Sequence, residues 1–201
     1  LAPRFLQTAQ LLSQHDPQLQ VVVPVVSSQR QSQFEAILAQ YPLPNCRVLR
    51  VLPEEPGTVA VRADGRDTGQ WPIAWHALEA ADAVLVASGT ATLEAALFKR
   101  PMVIAYAITP WMRRLMAWRS GQRAPSLPWV GLPNILARDF VVPELLQEAA
   151  TPQALSAETW RALTDTELAL QVADRFATLH AALSRDTPRL AAQAIREVAG
   201  G

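Results

Sequence analysis

The chain has 201 residues, enough for one ordinary domain or one unusually wide one. Half of the residues are apolar and 18% are charged, which excludes an intrinsically disordered chain. Lys+Arg and Asp+Glu both number 18, so the net charge of zero offers neither a basic footprint for nucleic acid nor an acidic one for a basic partner. Cys46 is the single cysteine, which rules out an internal disulfide framework and a cysteine-based zinc cluster. No apolar run reaches the roughly 18 to 20 residues of a membrane-spanning helix. No basic-then-apolar start resembles a signal peptide.

The first residue is Leu1, and residues 1–15 read as a helix with Phe5, Leu6, Ala9, Leu11 and Leu12 on one apolar stripe. No good capping residue precedes it, so a fragment beginning further upstream is expected. Residues 19–26 (LQVVVPVV) form a continuous apolar run suited to a strand buried on both faces, although Pro24 argues against a central position for its second half. Residues 29–40 read as a helix with Phe34, Ile37 and Leu38 facing in. Strands are predicted at 47–52 (RVLRVL), 83–87 (AVLVA) and 102–105 (MVIA), with helical patterns at 76–80 and 92–99. Strand and helix alternate with short links, which implies βαβ units, right-handed crossovers and a parallel sheet.

Residues 53–71 interrupt this rhythm with two prolines, three glycines and mixed charges. They read as an exposed hairpin or loop, or as a lid beside a ligand. After Thr151 the pattern is wholly helical. Thr151-Pro152 and Thr187-Pro188 each place a cap residue before a proline, and a longer helix is predicted over 164–184. Within it Leu168, Val172, Phe176, Leu179 and Leu183 keep the spacing of a core stripe. The expected organisation is residues 1–150 as a Rossmann-like α/β domain and residues 151–201 as helices packed on it or on an N-terminal half.

The most informative stretch is 84–94, VLVASGTATLE. A buried strand ends, Ser88-Gly89-Thr90 turn, and a helix begins at Ala91 or Thr92. Unpaired N–H groups, the helix dipole and hydroxyls at such a point attract anions. The carboxyl ends of parallel strands are also where ligands bind in open α/β sheets. Glu94, one turn into the helix, suits ribose hydroxyls. Equally, the same pattern describes a plain capped helix with Glu94 favoured by the dipole. There is no G-x-G-x-x-G and no P-loop lysine, so neither a common dinucleotide fingerprint nor a P-loop NTPase fits.

Residues 106–134, YAITPWMRRLMAWRSGQRAPSLPWVGLPN, are the second unusual stretch. Trp111, Leu115 and Trp118 share one helical face, and Arg113 and Arg114 lie on the other side. A basic, tryptophan-bearing amphipathic helix suits a membrane interface, and a core-packed helix with solvated arginines has the same pattern. Asn134 opens another short helix, as its cap or as a ligand contact. His15, His76 and His180 are scattered without i, i+4 pairing, so no metal site is expected. Ser88 does not sit in a G-x-S-x-G elbow, which argues against a hydrolase triad.

ASGTATLEAALFKRPMVIAY, VGLPNILARDFVVPELLQEAATPQAL and the opening FLQTAQLLSQHDPQLQVVVPVV together resemble the C-terminal half of bacterial lipid-A-disaccharide synthases. The resemblance covers most of the chain in matching order. It implies half of a GT-B glycosyltransferase, a fold of two Rossmann-like halves facing a cleft. Its expected activity is an inverting, metal-free and cofactor-free joining of UDP-2,3-diacylglucosamine to 2,3-diacylglucosamine 1-phosphate, in β-1,6 linkage, with release of UDP. By motif, Ser88, Gly89, Thr90, Ala91 and Thr92 would face the diphosphate and Glu94 the ribose. Asn134 and Tyr106 would lie in or near the donor cleft, with Glu144 and Gln147 as weaker candidates. The catalytic base is expected in the N-terminal half, so the chain alone would bind without turnover.

The implied location is cytoplasmic and peripheral at the inner membrane, with Trp111, Arg113, Arg114 and Trp118 as membrane contacts and a homo-oligomer left open. Two departures stand out. Residues 53–71 are longer than the family's link there, and Ala107-Ile108 alters the surroundings of a basic pair. The rival readings are another UDP-sugar transferase or an epimerase of the same architecture, for which no paired carboxylates are evident, and a non-catalytic Rossmann-like module.

Overall fold

The computed structural model describes residues 1–50, 71–108 and 128–199. Helix α1 (Ala2–His15) is followed by strand β1 (Val21–Val25), helix α2 (Ser28–Leu38) and strand β2 (Cys46–Arg50). β1 and β2 pair in parallel, from Val21 opposite Cys46 to Val25 opposite Arg50. Helix α3 (Ile73–Ala80) then leads to β3 (Val84–Ala87), α4 (Thr90–Leu97) and β4 (Met102–Tyr106). A short helix α5 (Leu132–Ala137) precedes β5 (Glu144–Leu146). The second sheet has the order β3-β4-β5 and is also wholly parallel.

The expected βαβ units and parallel pairing are therefore present. The described strands form one two-stranded and one three-stranded sheet. α3, between the two sheets in sequence, packs against β1. Pro24 sits inside β1 opposite Leu49, and among the described strands β1 pairs with β2 alone. A residue without an N–H is tolerated where only one neighbour has to be served. β5 went unpredicted: three residues, one of them charged, carry no readable period, and only pairing beside β4 makes them a strand.

β4 explains the three-layer build. Met102 and Ile104 face a cluster with Ala95, Ala96, Val142, Val172 and Phe176. Val103 and Ala105, alternating with them, face a second cluster with Ala150 and Leu155. Side chains alternate across a strand, so a strand covered on both faces needs an unbroken apolar run. MVIA supplies it, and all four residues are buried. α4 and α7 (Thr166–Leu183) cover the first face, and α6 (Pro152–Thr164) with α1 covers the other.

Of the caps read from sequence, the one at Thr151 forms where expected. The Thr151 hydroxyl accepts from Ala154 N at 3.2 Å. Asp165, not anticipated, caps α7 by accepting from Leu168 N at 2.9 Å. The α7 stripe buries Val172 and Phe176 and packs Leu168 and Leu179, but it runs out at Leu183, which is 41% exposed. The last helix, α8 (Thr187–Ala199), leaves Leu190, Ile195 and Val198 exposed. Burial pushes the Cys46 thiol up from its ordinary value, which disfavours the thiolate that nucleophilic chemistry needs. No helix among the described residues is long and apolar enough to cross a membrane.

Candidate functional site

Ser88, Tyr106 and Gln147 follow or end the neighbouring strands β3, β4 and β5, so they share the carboxyl edge of the sheet. Ser88 N donates to Ala105 O at 2.9 Å and carries the ladder one residue past β3. Gly89 then turns the chain with φ +152°, a region closed to most L-residues, while a Cβ there would meet nothing within 4 Å. Glycine is needed at this turn for its backbone freedom, not for lack of room. α4 starts immediately after it. The first N–H groups of a helix have no carbonyl four residues back, so Thr90 and Ala91, both exposed, present N–H groups at the positive end of the dipole.

The other turn residues are committed inward. Thr92 is fully buried, and its hydroxyl donates to Gly89 O at 2.7 Å. Ser88 Oγ donates to Val130 O at 3.1 Å and so ties the turn to the chain entering α5. Glu94 is half-buried and one of its oxygens, Oε2, accepts from Trp75 Nε1 at 3.0 Å.

Asn134 is neither the cap of α5 nor open to solvent. It lies within the helix, is 0% exposed, and uses both ends of its amide. Nδ2 donates to Val142 O and to Glu144 Oε1, each at 2.8 Å. Oδ1 accepts from Val141 N at 2.9 Å and Val142 N at 3.1 Å. The Glu144 carboxylate accepts further bonds from Val130 N at 2.7 Å and Gly131 N at 2.9 Å. A carboxylate has about four acceptor positions, and three are filled by scaffold donors.

Gln147 has the left-handed φ of +53°; its N–H donates to Tyr106 O at 2.6 Å. Its side-chain oxygen accepts from Ile108 N at 3.3 Å, and Arg4 donates to its carbonyl at 2.7 Å and to that of Ala150 at 3.1 Å. Tyr106 is half-buried at the end of β4. Trp111, Arg113, Arg114 and Trp118, and all of the loop or lid expected over 53–71 except Trp71, lie outside the described residues.

The structure thus brings Ser88, Gly89, Thr90, Ala91 and Thr92 together with Glu94 on one turn, while Asn134 and Glu144 form the scaffold behind it. Trp75 and Arg4 were missed, because a tryptophan in a short helix or an arginine on an amphipathic one carries no sign of its partner. Among the described residues no group of three or more His, Cys, Asp or Glu could hold a metal ion.

Parallel βαβ units, helices on both faces of β4 and a glycine turn into a helix at the carboxyl edge define a Rossmann-like α/β protein of the kind that forms one half of a GT-B transferase. The chain belongs to the lipid-A-disaccharide synthetase family, whose model matches residues 72–198, well over half of its length. It is 61% identical over 201 residues to the lipid-A-disaccharide synthase of Bordetella petrii, covering 100% of this chain and 48% of that protein. It is 58% identical over 201 residues to that of Bordetella pertussis, with the same two coverages of 100% and 48%. It is 43% identical to that of Aromatoleum aromaticum, covering 97% of this chain and 44% of the relative. The chain therefore spans about half the length of the curated relatives it matches.

Proposed function

We propose that this chain supplies the UDP-sugar donor site of a lipid-A-disaccharide synthase. The observation that carries the reading is the turn from β3 into α4, with exposed Thr90 and Ala91 at the helix N-terminus and Glu94 on the same helix. As the bond from sugar to UDP breaks, negative charge grows on the diphosphate. Fixed N–H groups and a helix dipole stabilise that charge without reorganising. Ser88, Gly89, Thr90, Ala91 and Thr92 are read as the diphosphate cradle, with the side chains of Ser88 and Thr92 building the turn. Glu94 receives the ribose hydroxyls, and Tyr106, Asn134, Glu144 and Gln147 shape the wall beside them.

In this reading the donor is UDP-2,3-diacylglucosamine and the acceptor is 2,3-diacylglucosamine 1-phosphate. The anomeric centre inverts, and a base outside this chain deprotonates the acceptor hydroxyl. Residues 1–150 serve as the donor-binding unit, and residues 151–201 pack on it or on an N-terminal half.

Calorimetric titration of the full-length protein tests the donor site. UDP is expected to bind saturably and in preference to GDP, and Glu94→Gln to weaken it about tenfold, the worth of one hydrogen bond to a charged group. Equal heats from UDP and GDP, or an unchanged Glu94→Gln, would sink the reading in favour of a module with no UDP-sugar role.

Both substrates in this proposal carry acyl chains, so the protein is read as working at the cytoplasmic membrane surface, with Trp111, Arg113, Arg114 and Trp118 in contact with it. Anionic vesicles are expected to blue-shift the tryptophan emission, and the shift is expected to vanish in a Trp111→Phe/Trp118→Phe variant. Emission indifferent to vesicles would end the membrane assignment.

A further inference from the structure

We infer that Trp75 is a positioning residue for Glu94: its indole N–H holds one carboxylate oxygen and leaves the other directed over the first turn of α4, where a ribose would sit. The inference rests on the reading that Glu94 receives the ribose.

The contact itself is direct. Trp75 Nε1 donates to Glu94 Oε2 at 3.0 Å, and the pair is partly buried. The indole is itself held in place. It meets Phe98 at 6.1 Å and 63°, and Trp71 at 6.1 Å and 75°. Trp71 and Phe98 close the triangle at 5.9 Å and 77°. Three rings in mutual edge-to-face contact resist rotation of any one of them. Phe98 caps the end of α4 four residues after Glu94, so Trp75 reaches both the helix and its cap.

Direction follows from helix geometry. Side chains on an α-helix lean toward its N-terminus, so the free Glu94 oxygen is expected to face back toward Thr90 and Ala91, four and three residues earlier. Thr90 and Ala91 are the exposed residues at the start of the helix. The donor type also matters. An indole offers one N–H and no charge, so it fixes one oxygen and leaves the carboxylate its full negative charge. A guanidinium could take both oxygens and compete with a sugar. A glutamate with three free torsions would otherwise have to be ordered by the ligand, at a cost in affinity.

The test uses the full-length protein, with UDP and 2′,3′-dideoxy-UDP as paired ligands, titrated against wild type, Trp75→Phe, Glu94→Gln and the double variant. Wild type is expected to prefer UDP over the dideoxy ligand. Trp75→Phe keeps an aromatic ring at this position, but removes the pyrrole part of the indole together with its N–H. It is expected to bind the dideoxy ligand as wild type does and to lose about three- to tenfold on UDP. The double variant is expected to bind UDP no worse than Glu94→Gln alone, because the two residues act through one contact.

If Glu94→Gln keeps the full preference for UDP, the ribose reading fails and the inference fails with it. If Glu94→Gln loses the preference while Trp75→Phe retains it, the ribose reading stands and the positioning role is overturned. Equal losses on both ligands would mark Trp75 as merely structural and overturn it as well. Should Trp75→Phe fail to fold, benzothienylalanine at position 75, isosteric with tryptophan but without the N–H, carries the same comparison.

Discussion

Asn134→Ala is expected to destabilise the protein by roughly 3 to 5 kcal/mol, more than any substitution at the exposed turn. The side chain is 0% exposed and closes four hydrogen bonds. Alanine would leave Val141 N, Val142 N and Val142 O without partners, and each buried orphan costs about 1 to 3 kcal/mol unless water enters. It would also strip one donor from the Glu144 carboxylate. A urea titration would show the loss as a lower midpoint with an unchanged slope. A loss under about 1 kcal/mol would mean that water replaces the amide cheaply, and the scaffold role assigned to Asn134 would be wrong. Because Asn134 stands behind the turn, UDP affinity measured on the folded fraction should fall less than stability does. An affinity that collapses in a protein of unchanged stability would instead return Asn134 to the ligand.

Gly131→Ala is expected to cost about 1 to 3 kcal/mol by overpacking, and Ile104→Val to restore part of it. A Cβ on Gly131 would lie 2.3 Å from Ile104 Cδ1 and 3.1 Å from Glu144 Oε1. The end of a side chain normally moves aside, but Ile104 is 0% exposed in the core of β4 and has nowhere free to go. Valine lacks the Cδ1 atom, and the next contact, Ile104 Cγ1 at 3.6 Å, is ordinary packing. Ile104→Val alone removes a methyl group and costs about 0.5 to 1.5 kcal/mol. The double variant should therefore be more stable than the sum of the two single losses implies. Strict additivity in thermal or urea unfolding would show that the backbone yields at Gly131 and the isoleucine does not matter.

The elements whose sequence carries a period were legible. MVIA gave β4 because both faces of that strand are covered, and the spacing from Leu168 to Leu179 gave α7 because one side of it meets the sheet helices. Thr151-Pro152 gave the start of α6 because a cap and a proline act locally. The turn at Ser88-Gly89-Thr90 was legible for the same reason. Long-range polar bonding was not. Asn134 and Glu144 read as ligand candidates because a sequence shows an amide and a carboxylate without the backbone groups that satisfy them. Their partners at residues 130, 131, 141 and 142 are backbone groups 7 to 14 residues away, and no residue pattern announces them. The bond from Trp75 to Glu94 spans 19 residues and two helices, and nothing in the composition of either helix announces it.

The bond from Ser88 to Val130 sets a condition on whatever arrives at the turn. A hydroxyl has a single hydrogen, and here it is already given to a carbonyl. The amide of the same residue is spent on Ala105. An anion approaching the start of α4 can meet the amides of Thr90 and Ala91 without disturbing anything. To gain Ser88 as well, it must take that hydrogen from Val130, whose amide stays held by Glu144. Ser88's hold on the anion and its hold on the Val130 carbonyl are alternatives decided by one proton.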